Sequence, residues 1–139
     1  MHTQFDHEKL DVYRLELQFI AWLAPLLDEV AERPRTANVC DQIDRASLSA
    51  LLNTAEGNGK RQRPTRAKFF DDARGSATEC AGCLDALVAK AACAPDRVLE
   101  GKELLIRVVS ILTKLVNMFS ADSQLREDEM PYRTSESSE

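Results

Sequence analysis

Apolar residues recur at steps of three and four along four long segments, and the strict alternation of a half-buried strand is almost absent. Such steps place side chains on one face of an α-helix, which has 3.6 residues per turn. Proline, glycine and short polar residues separate the four segments. The pattern predicts four helices, over about residues 8–31, 37–56, 63–91 and 95–119.

The short connections between these segments indicate how the helices are arranged. Helices joined by only a few residues pack side by side and run in opposite directions. We therefore predict an all-α fold, an antiparallel up-down-up-down four-helix bundle over residues 1–120. Residues 121–139 are rich in serine and acidic residues with scattered apolar ones, and we expect a mostly disordered tail there.

The first and fourth predicted helices have more apolar residues than one core needs. Between residues 104 and 119, 11 of 16 positions are apolar, whereas a bundle helix needs only about three in every seven. The first helix has two apolar stripes, one of Leu10, Tyr13, Leu17, Ile20, Ala24 and Leu27, and a displaced one of Val12, Phe19, Trp22, Leu26 and Val30. We expect the excess to be buried between copies of the chain.

Membrane insertion and secretion are not expected. The most apolar stretch contains Arg107 and Lys114 and is shorter than the roughly 20 residues that span a bilayer. The N-terminus lacks the basic segment and apolar run of a secretory signal. A soluble, cytoplasmic protein is predicted, and its net charge of −5 argues against general binding of polyanions.

Catalytic, metal and cofactor sites are not predicted. The chain has no histidine after His7, which removes the ligands of a haem or di-iron bundle and the base of a serine triad. Cys80 and Cys83 are one turn apart inside a helix, so we expect them to pack as small apolar side chains. The sequence Gly-Asn-Gly-Lys at 57–60 lacks the earlier glycine and the following Ser or Thr of a phosphate loop.

A polar series follows one face of the second helix, at Gln42, Arg45, Ser49, Asn53 and Glu56, and the third helix adds Arg74, Ser76 and Glu79. Three interpretations are open: a solvated face, a polar network that fixes the register of two helices, or an active site. Gly75 and Gly82 also lie inside the third helix, where glycine costs about 1 kcal/mol relative to alanine. Close approach of a neighbouring helix is the simplest reason for them.

Five positive charges lie within nine residues after the second helix, at Lys60, Arg61, Arg63, Arg66 and Lys68. Positive charge is unfavourable at the N-terminus of the third helix, so the helix dipole does not explain this basic segment. It could bind phosphate groups of a nucleic acid, the acidic surface of a partner, or acidic residues of a neighbouring copy.

Three segments resemble a known bacterial family: DQIDRAS at 41–47, NTAEG at 53–57 and ARGSATE at 73–79. The family consists of four-helix-bundle proteins called intervening-sequence proteins, some of which are encoded in insertions within large-subunit ribosomal RNA genes. Its architecture is similar to that of the accessory protein of diversity-generating retroelements, a basic pentamer that partners a reverse transcriptase. The resemblance covers roughly residues 5–119.

The resemblance implies a ring of bundles, typically a pentamer, and no established enzymatic activity. It also implies a structural role for the motif residues, which are Gln42, Arg45, Asn53, Glu56, Gly57, Gly75, Ser76 and Glu79. We therefore expect a non-enzymatic, oligomeric scaffold that binds no small-molecule substrate. The alternative is an accessory protein that binds nucleic acid or a reverse transcriptase through residues 60–68.

Overall fold

The computed structural model describes the backbone of residues 4–128 and the side chains of residues 4–120. Within this range the chain forms four α-helices and no strand, which confirms the predicted all-α class. The helices are α1 (Asp11–Val30), α2 (Ala37–Gly59), α3 (Arg63–Ala89) and α4 (Leu99–Asp128). One turn of 3₁₀-helix precedes α1 at Asp6–Lys9, and another precedes α4 at Pro95–Val98.

The helices pack in a closed cycle around one core. Both α1 and α3 lie against α2 and α4, so each helix has two principal neighbours. The core residues of α1 and α3 recur at steps of three and four, as a single buried face requires. They are Val12, Leu15, Phe19, Leu23, Leu26 and Val30 from α1, and Phe70, Ala73, Ala77, Cys80, Leu84 and Leu87 from α3. Burying each large side chain contributes roughly 1.5–3 kcal/mol.

The two apolar stripes of α1 differ in burial. Most of the displaced stripe, including Val12, Phe19 and Leu26, faces the core. The other stripe lies at the edge of the bundle, where Leu17 is 44% exposed. The stripe that includes Leu17 is therefore the less buried of the two.

The second helix was predicted to end at residue 56, just before Gly57, but α2 is longer. It continues to Gly59, and no glycine among residues 4–128 has a positive φ angle. Gly57 is instead buried against α3, because a Cβ atom on it would lie 3.0 Å from the Cβ of Phe69 and 3.1 Å from the ring of Phe70. Its missing side chain permits close contact between two helices.

The glycines of α3 do not have the role that we predicted within this chain. Gly75 and Gly82 are exposed, and no atom lies within 4 Å of the position that a Cβ would take on either residue. Close approach occurs instead at Gly101 of α4, where a Cβ would stand 2.2 Å from a ring carbon of Trp22. Glycine marks close packing at 57 and 101, but not at 75 and 82.

The last helix is longer than predicted, since it continues to Asp128 instead of ending near residue 119. The predicted disordered tail, residues 121–139, lies partly in this helix and otherwise outside the described residues. No helix within residues 4–128 has the length and apolar character needed to cross a membrane.

Candidate functional site

The polar series of α2 and α3 forms hydrogen bonds across the two helices. The side-chain amide of Gln42 donates to the carboxylate of Glu79, and Arg45 Nη2 donates to Gln42 Oε1 at 3.1 Å. Arg45 also pairs with Asp41, at 3.2 Å between Nη2 and Oδ2. These contacts join the first half of α2 to the middle of α3.

A second set of contacts lies closer to the end of α2. The hydroxyl oxygens of Ser49 and Ser76 are 3.0 Å apart, within hydrogen-bond distance. Asn53 Nδ2 donates to the carbonyl oxygen of Ser49 at 2.9 Å and to its hydroxyl oxygen at 3.1 Å. These side chains are half-buried, and the Ser49–Ser76 contact joins the two helices while Asn53 supports Ser49 within α2.

The structure does not bring all eight motif residues together. The carboxylate of Glu56 pairs instead with Lys60, whose ammonium group is 3.8 Å away. Gly57 is in the core, and Gly75 is exposed without a close neighbour. Of the motif residues, Gln42, Ser76 and Glu79 therefore form the hydrogen bonds between α2 and α3, whereas Arg45 and Asn53 bond to neighbouring residues of α2.

An apolar ridge stands beside this polar network on the surface of α2. Leu48 and Leu52, one turn apart, are 51% and 53% exposed. They border a shallow cavity of about 380 Å³, whose other walls include Arg45, Asn53 and Glu56. We call these two leucines the α2 ridge.

A second apolar surface lies between α3 and α4. It is a groove of about 310 Å³, lined chiefly by Ala77, Ala81, Leu105, Ile106 and Val109. Ile106 is 67% exposed, so the surplus apolar character of α4 is partly at the surface of the single chain. We call this surface the α3/α4 groove.

Two residues of the basic segment bind atoms of the bundle itself. Arg66 Nη1 donates to the carbonyl oxygens of Asn58 and Lys60, each at 2.9 Å. Arg63 Nη2 donates to the carbonyl oxygen of Met118 at 2.9 Å. Both guanidinium groups lie over the ring of Phe119, at 4.9 Å for Arg63 and 4.5 Å for Arg66. The end of α2 exposes carbonyl groups that attract cations, which explains positive charge at this point.

The other three cations of the segment lie nearer to the solvent. The Lys60 ammonium group is 5.2 Å from the ring of Phe69, and Lys68 pairs with Asp72 at 3.2 Å. Arg61 is exposed. Two of the five charges are therefore bound to the bundle, because Arg66 binds carbonyl groups at the end of α2 and Arg63 binds one within α4.

Sequence reasoning missed a carboxyl group in the core. Glu16 of α1 is 3% exposed. Its Oε2 accepts a hydrogen bond from the hydroxyl of Thr54 at 2.7 Å, and its Oε1 has no hydrogen-bond partner among the described residues. Burial raises the pKa of Glu16 to about 8, although the Thr54 hydrogen bond acts in the opposite direction. The sequence feature that indicates a buried position for Glu16 is its spacing, four residues after Val12 and three before Phe19 on the core face.

The cysteine pair of α3 lies at and beside the core. Cys80 is buried and Cys83 is half-buried, and neither forms a disulfide. Burial raises the pKa of the Cys80 thiol to about 12, so it stays protonated at neutral pH. Within the part of the chain whose side chains are described, no three residues of metal-ligating type are grouped together.

Comparison with protein families gives one result that covers most of the bundle. The family described as 23S rRNA-intervening sequence protein matches residues 8–114. The chain belongs to this family. The match confirms the resemblance of the three motifs, and it includes the α2–α3 polar network and the basic segment of this intervening-sequence protein. Among curated proteins, no significant match to the chain was found.

Replacing Arg66 by alanine should lower the free energy of unfolding of this intervening-sequence protein by about 2 kcal/mol, because charged hydrogen bonds to two carbonyl groups are lost. Urea denaturation followed by circular dichroism measures the change. Arg61→Ala is the matched control, with an expected change within about 0.5 kcal/mol because Arg61 is exposed. Equal stability of the two variants would show that Arg66 does not hold the end of α2.

Proposed function

We propose that this chain is a non-enzymatic scaffold that works as a homo-oligomer. In this proposal the bundle is antiparallel, with up-down-up-down topology, and its copies assemble into a ring, typically a pentamer as the family resemblance implies. The observation that carries the proposal is the presence of two apolar surfaces on one small chain, the α2 ridge and the α3/α4 groove. Exposed apolar surface of this kind is typical of protein–protein interfaces.

The two surfaces lie on different helices, which favours a head-to-tail interface. Leu48 and Leu52 of the α2 ridge border a shallow cavity of about 380 Å³, and the α3/α4 groove has a volume of about 310 Å³. A contact between the ridge of one copy and the groove of the next joins two different surfaces. Repetition of such a contact closes into a ring when the rotation between copies allows it.

The polar network supports the same proposal. The Gln42–Glu79 and Ser49–Ser76 hydrogen bonds join α2 to α3, and Arg45 and Asn53 bond to Gln42 and Ser49 within α2. The α2 ridge projects from α2 and the α3/α4 groove lies along α3, so the network sets the position of one surface relative to the other. We infer that the motif residues act on assembly by keeping this geometry constant.

The alternative prediction is that the chain binds nucleic acid or a reverse transcriptase through residues 60–68. Fewer residues of this segment would take part than the sequence indicated. Such binding would rest chiefly on Arg61 and Lys68, because Arg66 binds carbonyl groups at the end of α2 and Arg63 binds a carbonyl group within α4. The net charge of −5 opposes such binding at other parts of the surface.

Ile106→Glu and Leu52→Glu should each convert the oligomer into monomers, because an unpaired carboxylate in an apolar contact costs several kcal/mol. Light scattering after size-exclusion chromatography measures the mass, for which a monomer gives 15.5 kDa. Lys114→Glu is the matched control, since it also adds an acid to the exposed surface of α4. It should keep the wild-type mass.

Mixing the two monomeric variants tests the head-to-tail geometry. The Ile106→Glu chain keeps an intact ridge, and the Leu52→Glu chain keeps an intact groove. A ridge-to-groove interface predicts that the mixture forms a dimer of twice the monomer mass and nothing larger. A wild-type chain that is folded and monomeric would overturn the proposal, and a mixture that stays monomeric would overturn the ridge-to-groove contact.

A further inference from the structure

The core of the bundle contains a carboxyl group with no opposite charge beside it. Glu16 lies next to a small cavity at the meeting point of all four helices. The cavity walls come from α1 at Phe19, α2 at Ser47, α3 at Ala77 and Cys80, and α4 at Leu105 and Val108. A polar group that faces this cavity is therefore isolated from bulk water by the whole bundle.

Few groups around Glu16 can stabilise a negative charge. From α2, the Thr54 hydroxyl donates one hydrogen bond at 2.7 Å, and the Ser47 hydroxyl donates instead to the carbonyl oxygen of Asp44 at 2.9 Å. From α3 the titratable neighbour is the Cys80 thiol, which is neutral, and α4 contributes apolar side chains. No lysine, arginine or histidine lines the cavity in the described part of the chain.

The small size of the cavity also limits the hydration of an ionised Glu16 carboxylate. It provides about 10 Å³, which is at most the room that one water molecule needs. An ionised carboxylate accepts several hydrogen bonds, whereas Glu16 has one protein donor and Oε1 has none among the described residues. The neutral acid fits this environment much better than the anion does.

We propose that Glu16 is an internal proton-binding site, at which the bundle takes up one proton on folding and through which its stability responds to pH near neutrality. The proton comes from the solvent and is held on the Glu16 carboxyl group. The proton leaves at alkaline pH, where the uncompensated charge weakens the packing of α1 against α2 and α4.

The direction of the effect follows from the two pKa values of Glu16. In the unfolded chain the carboxyl group has its ordinary value of 4.5, and in the bundle the pKa is about 8. Between these two pH values the folded state binds more protons than the unfolded state. The stability that the neutral acid contributes to the fold is therefore complete below pH 4.5 and is lost as the pH rises towards 8. The folding constant should fall about tenfold per pH unit between roughly pH 5.5 and 7, and should level off above about pH 8.5.

Urea denaturation from pH 5.5 to 9 tests the proposal on the wild type, Glu16→Gln and Glu103→Gln, at one protein concentration because assembly also adds to stability. Glutamine imitates the neutral acid, so Glu16→Gln should lose the steep pH dependence. At pH 7 its folding constant should exceed that of the wild type by about two orders of magnitude. Glu103→Gln, an exposed control, should follow the wild type. Equal pH dependence in the wild type and Glu16→Gln would overturn the proposal.

A measurement on the wild type keeps the proposal testable if Glu16→Gln fails to fold. The ¹³C chemical shift of the Glu16 carboxyl group, assigned in the native protein, should titrate with a midpoint above pH 7. A midpoint close to the ordinary value of a glutamate would show that the folded chain holds the anion, and would overturn the proposal.

Discussion

Replacing Phe70 by alanine is expected to lower the free energy of unfolding by about 4 kcal/mol. Phe70 is 1% exposed and lies where three helices meet. A Cβ atom on Gly57 of α2 would lie 3.1 Å from the Phe70 ring, whose centroid is 5.7 Å from that of Phe119 on α4. Removing the ring leaves a cavity that these helices cannot fill, because Gly57 has no side chain to move into it.

Urea denaturation followed by circular dichroism measures this loss, and the chain provides a control of the same residue type. Phe5 is 74% exposed, so Phe5→Ala should change the free energy of unfolding by no more than about 0.5 kcal/mol. The Phe70→Ala chain should also be more sensitive to changes at Arg63 and Arg66, which lie over Phe119. A Phe70→Ala chain as stable as Phe5→Ala would mean that Phe70 is not in the core.

Replacing Gly101 by alanine should cost about 3 kcal/mol, at the upper end of the usual cost of overpacking. The added Cβ would stand 2.2 Å from a ring carbon of Trp22, so the indole must move. The ring is held between Phe19, at 5.6 Å between centroids, and the guanidinium group of Arg97, also at 5.6 Å. Movement of Trp22 therefore disturbs the contact between α1 and α4.

Two measurements detect this change together. Trp22 is the only tryptophan of the chain, so its fluorescence should shift to longer wavelength when the ring moves towards water. The matched control is Gly75→Ala, which adds the same methyl group to an open position of α3. It should stabilise the bundle by up to about 1 kcal/mol through helix propensity. Unchanged emission and stability in Gly101→Ala would contradict the close packing of α1 on α4.

The fold class could be predicted from local sequence, because periodic apolar residues determine which face of a helix is buried. The buried residues of α3 from Phe70 to Leu87 follow this rule, because they recur at steps of three and four. The rule was insufficient for the end of α2, because glycine serves equally well as a helix stop and as a site of close packing. Only the position of Phe70, on another helix, distinguishes these two roles of Gly57.

The candidate sites were also only partly predictable from local sequence. The bonding of Gln42 to Glu79 follows from the faces of two helices, and the spacing allowed it as one of three interpretations. The role of Arg66 depends on carbonyl groups at the end of α2 and on Phe119, which is far away in sequence. Glu16 was overlooked because a charged residue is normally assigned to the surface, although its spacing was that of a core position.

Three of the four main helix interfaces join helices that follow each other in the chain, whereas the contact of α1 with α4 joins its two ends. Contacts between neighbouring segments close short loops and form quickly, and the loop between α1 and α4 is the slowest to close. During synthesis, α1 emerges first and has only α2 to pack against until α4 has been made. The apolar face of α1 therefore stays partly uncovered for most of translation, and the growing chain is most prone to aggregate in that period.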